Sequence, residues 1–341
     1  MSVLLSLVLL AAAPAKLPPE RLAELGRLAT SDDEMKIRLQ AVVVLGRSGD
    51  RGAEPFLRAA TTDEQPAVRG AAAIALGHLE DPSAVEAIAP LADDEEAVVR
   101  EVALRALSEL STAAAPASIP YLVSARQRLG RHAREAIVLA LAGLDYPAAR
   151  SGLAEALGDD DGLVRAAAEH ALLSGPPLPA SLALRGALDS QNYRVRAAAA
   201  DLLGRLTEID DSAFARLTVA LVDDSEVPEV QTAARAAIAA RRERLDAPAL
   251  AATASGADAK ADRYARARAA TLLSVLADDR AYAALVKALS DDEPLVRGAA
   301  ASALASMGDA RAVGPLSRLE RSEPDARVKR IARSALERLT H

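Results

Sequence analysis

The sequence contains neither cysteine nor tryptophan, and only five tyrosines and two phenylalanines among its 341 residues. Without cysteine there is no disulfide framework and no thiol for lipid attachment, so thiols say nothing of the compartment. With so few aromatic rings, any core must be assembled from small aliphatic side chains, and there is little to stack on a nucleic-acid base. The four histidines, His78, His132, His170 and His341, include no pair at the i, i+4 spacing of helical metal ligands. No G-x-S-x-G elbow and no glycine-rich phosphate loop occurs. A net charge of −7, from 48 acidic and 41 basic residues, argues against a partner held by its phosphate backbone. The apolar run Val3 to Ala13 falls far short of the roughly 20 residues needed to span a bilayer.

What the sequence has in abundance is itself. QPAVRGAAAIALGHLEDPSAVEAI (65–88) aligns without a gap on EPLVRGAAASALASMGDARAVGPL (293–316). Their shared kernel, Val-Arg-x-x-Ala-x-x-Ala-Leu-Gly, begins at Ile37, Val68, Val99, Ala133, Val164, Val195, Val230, Ala265, Val296 and Val328. Successive starts lie about 31 to 35 residues apart, the range of helical-hairpin repeats. Apolar positions fall at i, i+4 and i+8, as in Val164, Ala168 and Leu172, with Leu163 and Ala171 adding to the stripe, which predicts a helix with one apolar face. A shorter segment upstream has the same period, as in Leu285, Val286 and Leu289. Two helices per repeat and ten repeats predict an all-α solenoid, a single domain over 16–341, in which each hairpin buries its apolar face against its neighbours.

The punctuation agrees with that period. Acidic turns at Asp32-Asp33, Asp93-Asp94, Asp159-Asp160-Asp161, Asp223-Asp224 and Asp291-Asp292 precede the second helices, where a short carboxylate caps free backbone N–H groups. Gly46, Gly77, Gly204 and Gly308 are expected to close second helices in the left-handed conformation. STAAAPASIP (111–120), SGPPLPA (174–180) and ASGADAKADRY (254–264) are expected to widen or loosen the connections around them.

LGHLEDPSAVEAIAPLADDEEAVVREVALRAL (76–107) resembles HEAT repeats, and among them the phycobilisome-lyase-like subtype; the likeness runs over about residues 20–340. The resemblance implies a ladder joining turn Asp and second-helix Arg between successive repeats. In this sequence the Arg column is Arg38, Arg69, Arg100, Arg134, Arg165, Arg196, Arg266 and Arg297, with Lys329 at its end and Gln231 breaking it. We read it as structural, because every guanidinium comes with an acidic turn that it can pair bidentately. The resemblance fixes no activity. HEAT-built iron hydroxylases carry His-Glu pairs, whereas this chain has only the reversed Glu169-His170; the aromatic pocket walls expected of a bilin lyase are reduced to isolated Tyr121, Tyr146 and Tyr193. HEAT-like DNA glycosylases need stacking side chains that are missing.

The resemblance further implies that second helices line a concave groove. Taking the third and seventh kernel positions as groove columns gives an apolar N-terminal end (Leu39, Val43, Ile74), a charged middle (Glu101, Arg105, Glu135, His170, Asp201) and a C-terminal half of Ala, Gly, Ser and Thr. The reading is a non-enzymatic, monomeric scaffold or adaptor that binds another protein or peptide in this groove, with no cofactor, metal, nucleic acid or membrane span. Two other classes are a chaperone-like lyase or enzyme-associated subunit with a small-ligand pocket, and a structural spacer of the cell envelope.

Ala13-Pro14-Ala15 follows the N-terminal apolar run as an A-x-A site, so 1–15 reads as a signal peptide and the protein as exported, periplasmic or secreted; retention of the segment would leave it cytoplasmic. N-terminal sequencing of the protein from its native cells is expected to start at Lys16, and an intact Met1 or Ser2 would refute export.

Overall fold

Each kernel folds as the body of an α-helix, and each short segment before it as a partner helix. The computed structural model describes residues 16–223 and 225–340; the expected signal peptide lies outside the described residues. Two compact units divide the chain, Met1–Ala183 and Leu184–His341. The first contains α1 (Pro19–Ser31), α2 (Met35–Arg47), α3 (Glu54–Ala60), α4 (Pro66–His78), α5 (Val85–Ile88), α6 (Ala97–Ala113), α7 (Ile119–Arg126), α8 (Arg131–Ala142), α9 (Pro147–Ala156) and α10 (Gly162–Ser174). The unit boundary falls inside α11 (Pro177–Ala187). The second continues with α12 (Tyr193–Arg205), α13 (Asp211–Val222), α14 (Pro228–Ala239), α15 (Ala247–Ala254), α16 (Arg263–Leu276), α17 (Asp279–Ala288), α18 (Pro294–Met307), α19 (Val313–Ser322) and α20 (Ala326–Thr340). Among the described residues there is no strand, and the all-α solenoid of helical hairpins stands. Odd-numbered helices are the partners; even-numbered ones carry the kernels.

Alanine does two things in this fold. It favours the helix intrinsically, and it lets kernel helices of neighbouring repeats lie very close. Val164, Ala168 and Leu172 are all buried, as the periodicity requires. Closest approach is at glycine. A Cβ on Gly46 would lie 2.5 Å from the Ala75 Cβ, one on Gly77 3.3 Å from the Ala106 carbonyl oxygen, and one on Gly204 3.1 Å from the Ala237 Cα. These three glycines are therefore packing positions inside or at the edge of α2, α4 and α12, not left-handed caps. Of the four expected caps only Gly308 has a positive φ, +70°.

The 174–180 stretch also differs from expectation. It does not widen a loop, because Pro177 opens α11 at once: a first-turn proline has no N–H to leave unsatisfied. At 111–120, α6 runs on to Ala113 and the turn is tied internally, with Ser118 Oγ donating to the Ser111 carbonyl at 3.2 Å. Residues 254–264 contain the left-handed Gly256, φ +72°.

The Arg column joins one repeat to the next. Arg69 donates from Nε and Nη2 to both carboxylate oxygens of Asp94, 25 residues on, at 2.7 and 2.8 Å. Its Nη1 reaches back to the carbonyl oxygens of Asp63 and Glu64 in its own turn, at 2.9 and 3.1 Å. Arg38–Asp63, Arg134–Asp159 and Arg266–Asp291 repeat the carboxylate fork. In Arg196–Glu226 and Arg297–Glu323 a glutamate replaces the aspartate. The turn carboxylate accepts a backbone N–H as well: Asp94 Oδ1 from Glu96 and Asp291 Oδ1 from Glu293, each at 2.9 Å. Each arginine thus holds its own turn by carbonyl oxygens and the following turn by a carboxylate.

Three positions depart from this scheme. Arg100 donates only to the carbonyl oxygens of Asp94 and Glu95, because the next turn reads Gln127-Arg128-Leu129-Gly130 and offers no acid. There Asp93 caps α8 instead, accepting from the N–H groups of His132 and Ala133, and the buried Arg126 sits 3.5 Å from Asp159. Gln231, which breaks the Arg column, keeps its carbonyl half: Nε2 donates to the Asp223 carbonyl at 2.7 Å. Arg165 donates to the carbonyl oxygens of Asp159 and Asp160, at 2.6 and 2.9 Å.

Because they serve guanidiniums, Asp63, Asp94, Glu226, Asp291 and Glu323 stay ionised at unusually low pH. The hydrogen bond from the arginine is the main cause holding Asp94, Glu226 and Glu323 below the ordinary range. For Asp63 and Asp291 burial is the largest single influence and pushes upward, but the guanidinium and turn N–H groups together outweigh it.

Arg69→Ala strands the buried Asp94 and is expected to cost about 1–3 kcal/mol of stability, with a smaller loss for Arg100→Ala; equal melting temperatures for the two variants would show that the carboxylate fork contributes nothing. A depressed folded-state pKa gives stability that is complete above the unfolded value and lost as pH falls toward the folded one. The melting temperature of the wild type is therefore expected to hold from pH 7 to about 5 and to fall steeply below about 4. Arg69→Ala should show a shallower acid decline.

Candidate functional site

With its second column committed to the ladder, a kernel helix offers ligands only its remaining exposed columns. The first unit places Glu101 and Arg105 one turn apart on α6, both exposed, and no ion pair within 4.0 Å joins them or ties either to another described residue. Glu135 on α8 is half-buried and His170 on α10 is exposed, its Nε2 3.5 Å from the Ser174 hydroxyl. Asp201, on α12 in the second unit, is exposed and lies 3.5 Å from Arg205 one turn away. Glu101, Arg105, Glu135 and His170 thus occupy equivalent columns of three kernel helices of one unit, without hydrogen bonds to one another.

Sequence reasoning assigned Leu163, the residue just before its kernel, to the buried apolar stripe, whereas it lies on this exposed face, as does Val98 before the third kernel. Val98 is 71% exposed and Leu163 53%, alongside Leu139 of the seventh column at 48%. Position zero lies one turn before the third column and so turns toward that column's face, away from the buried Val164, Ala168 and Leu172. The first unit consequently presents apolar side chains interleaved with charges of both signs.

In the second unit the kernel face holds a cavity of about 600 Å³, bounded by α13, α16, α18 and α20. That volume lies in the usual range for a binding pocket. Its floor is the expected run of small residues, Ala267, Thr271, Gly298 and Ser302. Its walls were not expected: Tyr264 and Leu295 from position zero, Ile331 from the fourth column, and the guanidiniums of Arg268 and Arg327. Gly298 gives this floor its depth, since a side chain there would run into Ile331, 3.3 Å from the Cβ position. Among the described residues no three His, Asp or Glu side chains converge to hold a metal ion, and no helix is long and apolar enough to cross a membrane.

Paired helices stacked through a periodic arginine ladder define an α-solenoid repeat protein. The chain belongs to the HEAT-repeat family, whose profile matches residues 22–108, 91–173 and 250–337. Among solved structures it is similar to human deoxyhypusine hydroxylase in complex with glycerol, at 20% identity over 84% of this chain and 96% of that one, with a TM-score of 0.30. It is similar to an engineered protein at 21% identity over 94% and 99%, TM-score 0.31, and to Kap121p bound to Pho4p at 14% identity over 95% and 43%, TM-score 0.41. No curated protein matches the chain.

Proposed function

We propose that this protein is a non-enzymatic interaction scaffold that engages another protein through the kernel-helix face of its first unit. The observation behind this reading is the contrast between two sets of charges. In six rungs the ladder arginine and the turn acid satisfy each other, whereas Glu101 and Arg105 stand exposed without ion pairs, beside the exposed apolar Val98, Leu139 and Leu163. Apolar anchors among charges of both signs suit a protein surface, where the apolar contacts give affinity and the charges orient the partner. A rung spanning 25 residues supports placing these repeats in the phycobilisome-lyase-like subtype, and the A-x-A site supports a working place outside the cytoplasm.

Proteins captured from the producing cells by the wild-type chain are expected to be retained at least about fivefold less well by Arg105→Glu and by Leu139→Asp. The same reversal on a short partner helix, Arg27→Glu in α1, should change nothing. Equal capture by all four proteins, at unchanged melting temperature, would remove the first-unit face from consideration.

A further inference from the structure

The ladder has one junction at which both halves of a rung are missing, between α14 and α16. Gln231 stands in for the arginine of α14 and reaches only its own turn, donating to the Asp223 carbonyl at 2.7 Å. In the turn before α16, Lys260 and Ala261 occupy the two places from which Asp291 and Glu226 serve their rungs. Among the described residues a single side-chain hydrogen bond crosses this junction, from Arg235 Nη1 to the Ser274 hydroxyl at 2.5 Å. Either side of it is tied well. The Arg196–Glu226 rung and the close approach of Ala237 to Gly204 hold α14 to α12. Arg241 donates to the carbonyl oxygens of Gly204, at 3.1 Å, and of Leu206; Arg244 donates to the Ile209 carbonyl at 3.3 Å and to Asp211, with its guanidinium carbon 4.5 Å from the Phe214 ring centroid. Residues 241–244 therefore belong with α12 and α13. From Ala254 to Ala335 the buried apolar side chains form one cluster, with Leu250 and Ala251 packed against it and none of α14 within it. The chain passes from one body to the other at Leu245 and Asp246, in non-helical backbone with ψ of +129° and +84°.

The cavity lies across this junction. Val219, Val222 and Asp223 line it from the first body, and Tyr264, Leu295 and Ile331 from the second. We propose that residues 247–340 swing as one body against α12–α14, about Leu245 and Asp246, and that this movement widens and narrows the cavity. A rung fixes register because its carboxylate can be reached in only one stacking. The hydroxyl of one serine sets no such limit, and the backbone of two non-helical residues can absorb a rotation. The gap at Arg100 differs, since there Asp93 caps α8 from 39 residues away and holds the hairpins together. Narrowing the cavity takes the exposed Val219 and Tyr264 out of water, so the hydrophobic effect favours closure, while an occupant between the walls favours the open position. The movement involves no residue of the first-unit face and is independent of the reading given for it.

Distances between paired spin labels on the full-length protein test this, and the absence of native cysteine leaves the introduced thiols as the only ones. One pair, Ala215→Cys on α13 and Arg330→Cys on α20, bridges the junction beside the cavity; a control pair, Arg280→Cys on α17 and Arg330→Cys, lies within the second body. The bridging pair is expected to give a distance distribution at least about twofold broader than the control pair. Building the rung with Gln231→Arg and Ala261→Glu, at the 30-residue spacing of Arg196 and Glu226, should narrow that distribution to the control width, whereas Gln231→Arg alone should not. Ser274→Ala, which removes the crossing bond, should broaden it further, and guards against a folding defect in the rung variant. A bridging distribution as narrow as the control in the otherwise unaltered chain would overturn the proposal. So would a breadth that the complete rung leaves unchanged while helicity is kept, or a breadth that Ser274→Ala reduces.

Discussion

A guanidinium presents five N–H donors in one rigid plane, and burying it demands acceptors on more than one side. The repeat meets that demand from two turns at once. Carbonyl oxygens of the arginine's own turn take Nη1, and a carboxylate of the following turn takes Nε and Nη2, as at Arg69 between Asp63, Glu64 and Asp94. One side chain thereby ends the free carbonyls of one turn and fixes the position of the next hairpin. A buried ion pair is weak evidence of net stability, because desolvation offsets attraction. Here it specifies register: a carboxylate 25 residues away can be reached only if neighbouring hairpins stack in one way.

That register matters because the packed surfaces are otherwise nearly featureless. A face built of alanine slides against another such face with little penalty, and the chain has almost no large aromatic side chain to lock it. Gly46, Gly77 and Gly204 contribute by letting the next kernel helix approach until its Ala75, Ala106 or Ala237 lies against the glycine backbone. Where the ladder is interrupted at Arg100, other groups tie the hairpins: Asp93 caps α8, and Arg126 is drawn in toward Asp159.

The same economy separates structure from function. Charges spent in the ladder are unavailable to a ligand, so chemistry has to come from columns the stacking does not use. In the first unit those columns carry Val98, Glu101, Arg105 and Leu139; in the second they carry Tyr264, Arg268 and Arg327 around a cavity. Two faces of different character on one repeat design need no change of fold, only substitutions at positions the core does not see.

Repeat number, helix pairing and the buried stripe were legible in the sequence because each depends on neighbours within a turn or two: the kernel recurs, Val164, Ala168 and Leu172 follow the helical period, and all three are buried. Gly308 was legible for the same local reason, while Gly46, Gly77 and Gly204 were misread, since a glycine after an apolar run looks alike whether it caps a helix or admits a neighbouring one. The column of arginines was visible, but not that Arg100 would lack a carboxylate. Local periodicity is written in the order of residues. Whether a charge is satisfied is decided by a group some 25 residues away or more, and only the packed hairpins bring that group within reach or leave it out.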